Sequence, residues 1–148
     1  RMSGSARAGA EFYSSDRSDE VGPYAETALN YSVDRQTMVR WFAALGFNGA
    51  ELAAFSSRYG LNTGIQVNHN ITKRFSVNSG ASYSYSQFDS GGAGDVTEHS
   101  ALLSAGLGYQ LLENLNLNAN YSYSFLDSSD ALREFDRHRV SLGATASF

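Results

Sequence analysis

The 148-residue sequence contains no cysteine and only one proline. Without cysteine there is no disulfide framework, no thiolate metal site and no cysteine nucleophile. An excess of positive charge is also missing. Eleven basic residues stand against 15 acidic ones, for a net charge of -4, so the basic stripe of a nucleic-acid binder is absent and no nucleic-acid partner is expected. No apolar run approaches the roughly 18 residues of a membrane-spanning helix, and mean hydropathy is -0.33. Nine Tyr, nine Phe and one Trp against that single Pro favour strands. No secretory leader is visible; Arg1 opens within patterned sequence, as expected of a processed chain or a piece of a longer one.

What is present is a period of two. From Leu115 to Phe125, Leu115, Leu117, Ala119, Tyr121, Tyr123 and Phe125 alternate with Asn116, Asn118, Asn120, Ser122 and Ser124. Such alternation puts each set on one face of a strand, whereas a helix would scatter both. Phe75, Val77, Ala81, Tyr83 and Tyr85 repeat the pattern against Ser76, Asn78, Gly80, Ser82 and Ser84. Further strands follow from Leu61, Ile65 and Val67, from Leu103 to Leu111, and from Val140, Leu142, Ala144, Ala146 and Phe148. Earlier rows are Val39, Trp41, Ala43, Leu45 and Phe47, and Ala25, Thr27, Leu29, Tyr31 and Val33. The weakest strand runs near Met2 to Tyr13, with Ala6, Ala8, Ala10 and Phe12 on one side.

Connection lengths alternate too. Short turns fall at Asp34-Arg35, Thr72-Lys73-Arg74 and Glu113-Asn114. Long polar loops fall near Ser14 to Gly22, Asn48 to Ser57, Asp89 to Glu98 and Asp127 to Asp136. Outer-membrane barrels show this asymmetry, with short periplasmic turns and longer external loops. The polar rows are rich in Asn, Ser and Gly and poor in Lys and Glu, unlike a solvated sheet face. The strands run to about ten residues, the length that crosses hydrocarbon when tilted, against about five or six in a soluble sheet. The expectation is therefore one domain over residues 1–148: an all-β, transmembrane, antiparallel up-and-down β-barrel of eight strands, in the outer membrane of a Gram-negative bacterium.

The C-terminal row Phe148, Ala146, Ala144, Leu142 and Val140 resembles the closing strand of outer-membrane barrels, which typically ends in Phe. That resemblance implies that Phe148, Ala146 and Leu142 act as a signal read by the barrel assembly machinery. The segment Arg137-His138-Arg139-Val140-Ser141-Leu142-Gly143 also resembles the last strand of β-barrel porins linked to exopolysaccharide loci. Over the whole chain the architecture is similar to small OmpA/OmpX-type barrels.

With the apolar rows toward lipid, the opposite rows face inward. Gly9, Gly46, Gly60, Gly64, Gly80, Gly106, Gly108 and Gly143 fall there, and small inward residues favour a narrow, filled barrel. Arg7, Glu11, Glu26, Arg40, Arg137 and Arg139 also fall inward and form a candidate interior charge cluster. Opposite charges in such an interior must pair. Arg40 is expected near Glu26, and Arg139 near Glu11 across a closing seam. The cluster reads either as a polar core that seals the barrel or as a constriction that selects solutes. Tyr59, Tyr83, Tyr85, Tyr109, Tyr121, Tyr123, Phe125, Trp41 and Phe148 read as interfacial girdles, with sugar stacking as the alternative.

Asp16, Asp19, Glu20, Asp89, Asp95, Glu98, Asp127, Asp130, Glu134 and Asp136 read as solvated loop acids. Calcium bridging to lipopolysaccharide is an alternative, although no loop has the twelve-residue calcium spacing. His138 and Ser141 point to opposite faces, Glu98-His99 has no nucleophile beside it, and His69 lies near a turn. No enzyme, cofactor or metal site is expected. The expected role is a structural or interaction module with a filled interior and acidic external loops. Its partners would be outer-membrane lipid, lipopolysaccharide, the assembly machinery and a protein at the loops or barrel edge. The alternative is transport, as a pore or as the C-terminal section of a larger porin.

Overall fold

The computed structural model describes residues 1–14, 19–48, 57–89, 96–129 and 133–147. They form eight strands: β1 (Met2–Ser14), β2 (Asp19–Ser32), β3 (Thr37–Asn48), β4 (Ser57–Asn70), β5 (Phe75–Asp89), β6 (Val96–Leu112), β7 (Leu115–Ser128) and β8 (Phe135–Ala146). Their order in the sheet is their order in the chain, and every neighbouring pair is antiparallel. This is the up-and-down meander that the alternating sequence predicts. The sheet is open: among the described residues no ladder joins β1 to β8.

The alanine-rich first strand pairs along its whole length, from Met2 opposite Tyr31 to Ser14 opposite Asp19. The strands also extend further into the expected loops than composition suggests. Asp19 and Glu20 lie in β2, Asp89 in β5, Glu98 in β6, Asp127 in β7 and Asp136 in β8. Backbone pairing continues here past the point where apolar side chains stop. Asp16, Asp95 and Asp130 lie outside the described residues, as does Phe148.

The short turns are built by side chains. Asp34 Oδ1 accepts the backbone N–H groups of Gln36 at 2.7 Å and Thr37 at 2.6 Å. Thr72 Oγ1 does the same for Arg74 at 3.2 Å and Phe75 at 3.0 Å. Both are Asx/ST-type turns, in which a short polar side chain replaces a backbone acceptor. The third turn, at Glu113-Asn114, is tighter, and the β6–β7 register shifts between Gln110 and Leu112. Such a bulge re-aims the strand end.

Directly opposed residues share a face of the sheet, so the registers join the rows. One polar row runs Arg40, Gln66, Gly80, Ser104, Ser122, Arg139. The apolar row beside it includes Trp41, Ile65, Ala81, Leu103, Tyr123 and His138. Among the described residues nothing covers this apolar face. Leu142 is 81% and Val140 73% exposed. A soluble sheet buries such a face against a second layer; a membrane strand leaves it to lipid.

Candidate functional site: the polar face of the sheet

On the polar face, Gly64 and Gly106 leave no room for a larger side chain. A Cβ on Gly64 would lie 2.7 Å from the Phe42 ring and 2.9 Å from the Ala81 carbonyl oxygen. Asn78 and Asn120 fill the space beside Gly106, so that a Cβ there would meet Asn78 Oδ1 at 2.6 Å.

The charged residues fall into two groups. Arg7 faces Glu26 across the β1–β2 ladder, and their side chains form an ion pair of 2.9 Å. The two are 73% and 43% exposed, so water screens the pair and its contribution is at most about 1 kcal/mol. Arg40 does not stand opposite Glu26. It lies between Asn30 and Gln66, while Glu26 faces Ala44. The β2–β3 turn centres on Arg35, which leaves Glu26 about 13 Å further along its strand than Asn30. All three nonetheless line one open groove of about 330 Å³, together with Ser5, Ala28 and Phe42.

Arg137 and Arg139 stand at the far edge, opposite Ser124 and Ser122. The Arg137 guanidinium lies 5.2 Å from the Phe135 ring centre. The backbone of Glu11 faces Gly22 in β1–β2, and its side chain lies outside the described residues. The six expected residues are therefore divided between the two edges of the open sheet, with Arg40 one strand further in. Of the expected assembly signal, Leu142 and Ala146 are on the exposed apolar face of β8.

A charged pair absent from the expected cluster proves to be the most enclosed. Ser86, Glu98 and Ser128 are successive neighbours in one polar row near the long-loop ends. They are 2%, 6% and 8% exposed, and Phe88 beside them is 4% exposed. Arg133, just ahead of β8, reaches into this row, with its Nε 2.8 Å from Glu98 Oε1 and its guanidinium 5.0 Å from the Phe88 ring centre. Glu98 thus belongs to the polar face and not to a solvated loop. Running the β6 alternation backward from Leu103 through Ala101 and His99 would have placed it there.

The histidines form a second unforeseen pattern, on the apolar face. Tyr83 and His99 approach at 2.6 Å from hydroxyl to Nδ1, and Tyr121 and His138 at 2.9 Å. The signal in the sequence is the repeated Tyr-Ser-Tyr-Ser at residues 83–86 and 121–124. Among the described residues, no group of three or more His, Cys, Asp and Glu is placed to hold a metal ion.

No curated protein matches the chain. Among solved structures it is similar to the crystal structure of Ail, the attachment invasion locus protein of Yersinia pestis. The identity is 16%, the alignment covers 98% of this chain and 95% of that one, and the TM-score is 0.35. The family model described as putative beta-barrel porin 2 matches residues 2–148. A porin-like, outer-membrane barrel family agrees with the open polar face, the uncovered apolar face and the asymmetric connections. The chain belongs to the putative beta-barrel porin 2 family.

Proposed function

We propose that this sheet forms the wall of a pore in the bacterial outer membrane, with its polar face toward a water-filled passage for small hydrophilic solutes. The observation that carries this reading is the solvation of the polar-face charges. A sealed interior would enclose Arg7, Glu26 and Arg40 and pair them fully, because a buried unpaired ion is very costly. In this open sheet, where Arg7 stands on the edge strand β1, Arg7 and Glu26 are well exposed, and an open groove runs between them and Arg40. Among the described side chains, Arg7, Arg40, Arg133, Arg137 and Arg139 outnumber Glu26 and Glu98 on this face, so the passage favours anions.

The runner-up is a structural or interaction module with a closed interior, and the enclosed Glu98–Arg133 pair favours it. Under either reading, outer-membrane lipid and lipopolysaccharide meet the apolar face. Phe148, Ala146 and Leu142 address the assembly machinery, and a protein partner has the loops or the free strand edges to bind.

Planar-bilayer recording separates the two. A pore gives steady conductance with an anion-side reversal potential in a salt gradient. Arg40→Ala then moves that potential toward the cation side, while the unfolding midpoint changes by no more than about 0.5 kcal/mol, as for an exposed site. A closed interior gives little conductance in either protein, and a loss of about 3–5 kcal/mol if Arg40 is a buried partner.

A further inference from the structure

The apolar face carries two copies of one polar device. In the first, Tyr83 and Tyr85 of β5 meet His99 of β6. Tyr85 is directly opposite His99, their ring centres are 5.0 Å apart, and the Tyr83 hydroxyl is 2.6 Å from His99 Nδ1. In the second, Tyr121 and Tyr123 of β7 meet His138 of β8. Tyr123 is directly opposite His138 and stacked on it at 4.7 Å, and the Tyr121 hydroxyl is 2.9 Å from His138 Nδ1. Each histidine is the fourth residue of its strand, counted from the long-loop end. Each device therefore sits about 10 Å in along its own strand, and through β7, where His99 faces Asp127 and His138 faces Tyr123, the two are staggered by four residues, about 13 Å.

The chemistry follows from the hydrogen bond. With the phenol O–H as the donor, the imidazole accepts at Nδ1. The ring then carries its own hydrogen on Nε2. Both histidines are exposed on the face that meets lipid, where a donor without an acceptor is costly. At this depth the acceptors of an outer leaflet are headgroup oxygens, and a row of tyrosine faces beside them suits a sugar ring. From this we infer that the two Tyr–Tyr–His clusters are binding sites for a phosphorylated glycolipid of the lipid A type, with His99 and His138 donating from Nε2 to phosphate oxygens. Asp127 is opposite His99, and Asp136 precedes His138 by two on the same face. A carboxylate beside a phosphate repels it unless a divalent cation lies between, so the site works with magnesium present.

The inference rests on the reading that this face meets lipid, and one experiment tests the two separately. The folded protein in maltoside micelles, with millimolar magnesium, is titrated with bisphosphorylated lipid A and with the same lipid lacking phosphates, and bound lipid is counted by native mass spectrometry. The double variant His99→Phe/His138→Phe keeps the rings and removes the donors. Tyr83→Phe/Tyr121→Phe keeps the imidazoles and removes their hydroxyl partners. Trp41, the single tryptophan, lies on the same face and is 38% exposed, so quenching of its fluorescence by a brominated detergent reports contact with the apolar phase in each variant. Wild type should hold two phosphorylated lipids about tenfold more tightly than the histidine variant, a loss of about 1.4 kcal/mol per tenfold. The tyrosine variant should fall between, and the phosphate-free lipid should not distinguish the three. Quenched Trp41 with equal retention in wild type and histidine variant, or equal retention of both lipids, overturns the inference alone. Unquenched Trp41 in folded wild type overturns the lipid-facing reading and the inference with it.

Discussion

Gly64 and Gly9 show how closely the polar face is packed from one position to the next. A methyl at Gly64 meets an aromatic ring and a backbone oxygen, neither of which yields easily. At Gly9 the nearest atom is the Tyr24 Cδ1 at 3.6 Å, an ordinary contact. Gly64→Ala should therefore lower stability by about 1–3 kcal/mol, the usual cost of forcing extra volume into a filled site. Gly9→Ala should leave it nearly unchanged. Urea unfolding from detergent or lipid compares them, and equal midpoints would mean that the strands open freely at Gly64. The sequence shows that both glycines share a face. It does not show that Phe42 leans over one of them, because that depends on which residue the neighbouring strand brings opposite.

Pairing register is the property that single-strand patterns carry least. Alternation reveals the rows in β4 to β8 because their polar and apolar residues trade places with few exceptions. It places Arg40 near Glu26 only by assuming how the turn closes. Asp34 decides that closure: its carboxylate holds the Gln36 and Thr37 N–H groups and centres the hairpin on Arg35. The backbone N–H of Gln36, then the Thr37 side chain, keeps the Asp34 carboxyl below its ordinary value, since both favour the charged form. A lowered folded pKa means that the turn gains stability above the ordinary carboxylate range and loses it as pH falls through the folded value. The amide resonances of Gln36 and Thr37 should titrate together, with a midpoint below that of a free aspartate. Asp34→Ala should abolish the titration. A midpoint at the ordinary value would show that the carboxylate is not holding the turn.

At the scale of the molecule, two chemically distinct faces span all eight strands, with one register shift at the β6–β7 turn. Outer-membrane character was legible from that alone, with the short turns and long loops in support. The open seam between β1 and β8, the division of the charges between two edges and the enclosed Glu98–Arg133 pair were not. Each depends on contacts between residues far apart in sequence, which local periodicity does not encode. The central claim is that the apolar rows meet lipid and the polar rows meet water. Since the chain has no cysteine, single cysteines can be placed along β7 from Leu117 to Ser122 in the membrane-inserted protein. These are labelled with a membrane-restricted and a water-soluble thiol reagent. The account predicts strict alternation: lipid labelling at Leu117, Ala119 and Tyr121, and aqueous labelling at Asn118, Asn120 and Ser122. Equal labelling of the two sets by both reagents, or alternation of the opposite sense, would contradict it.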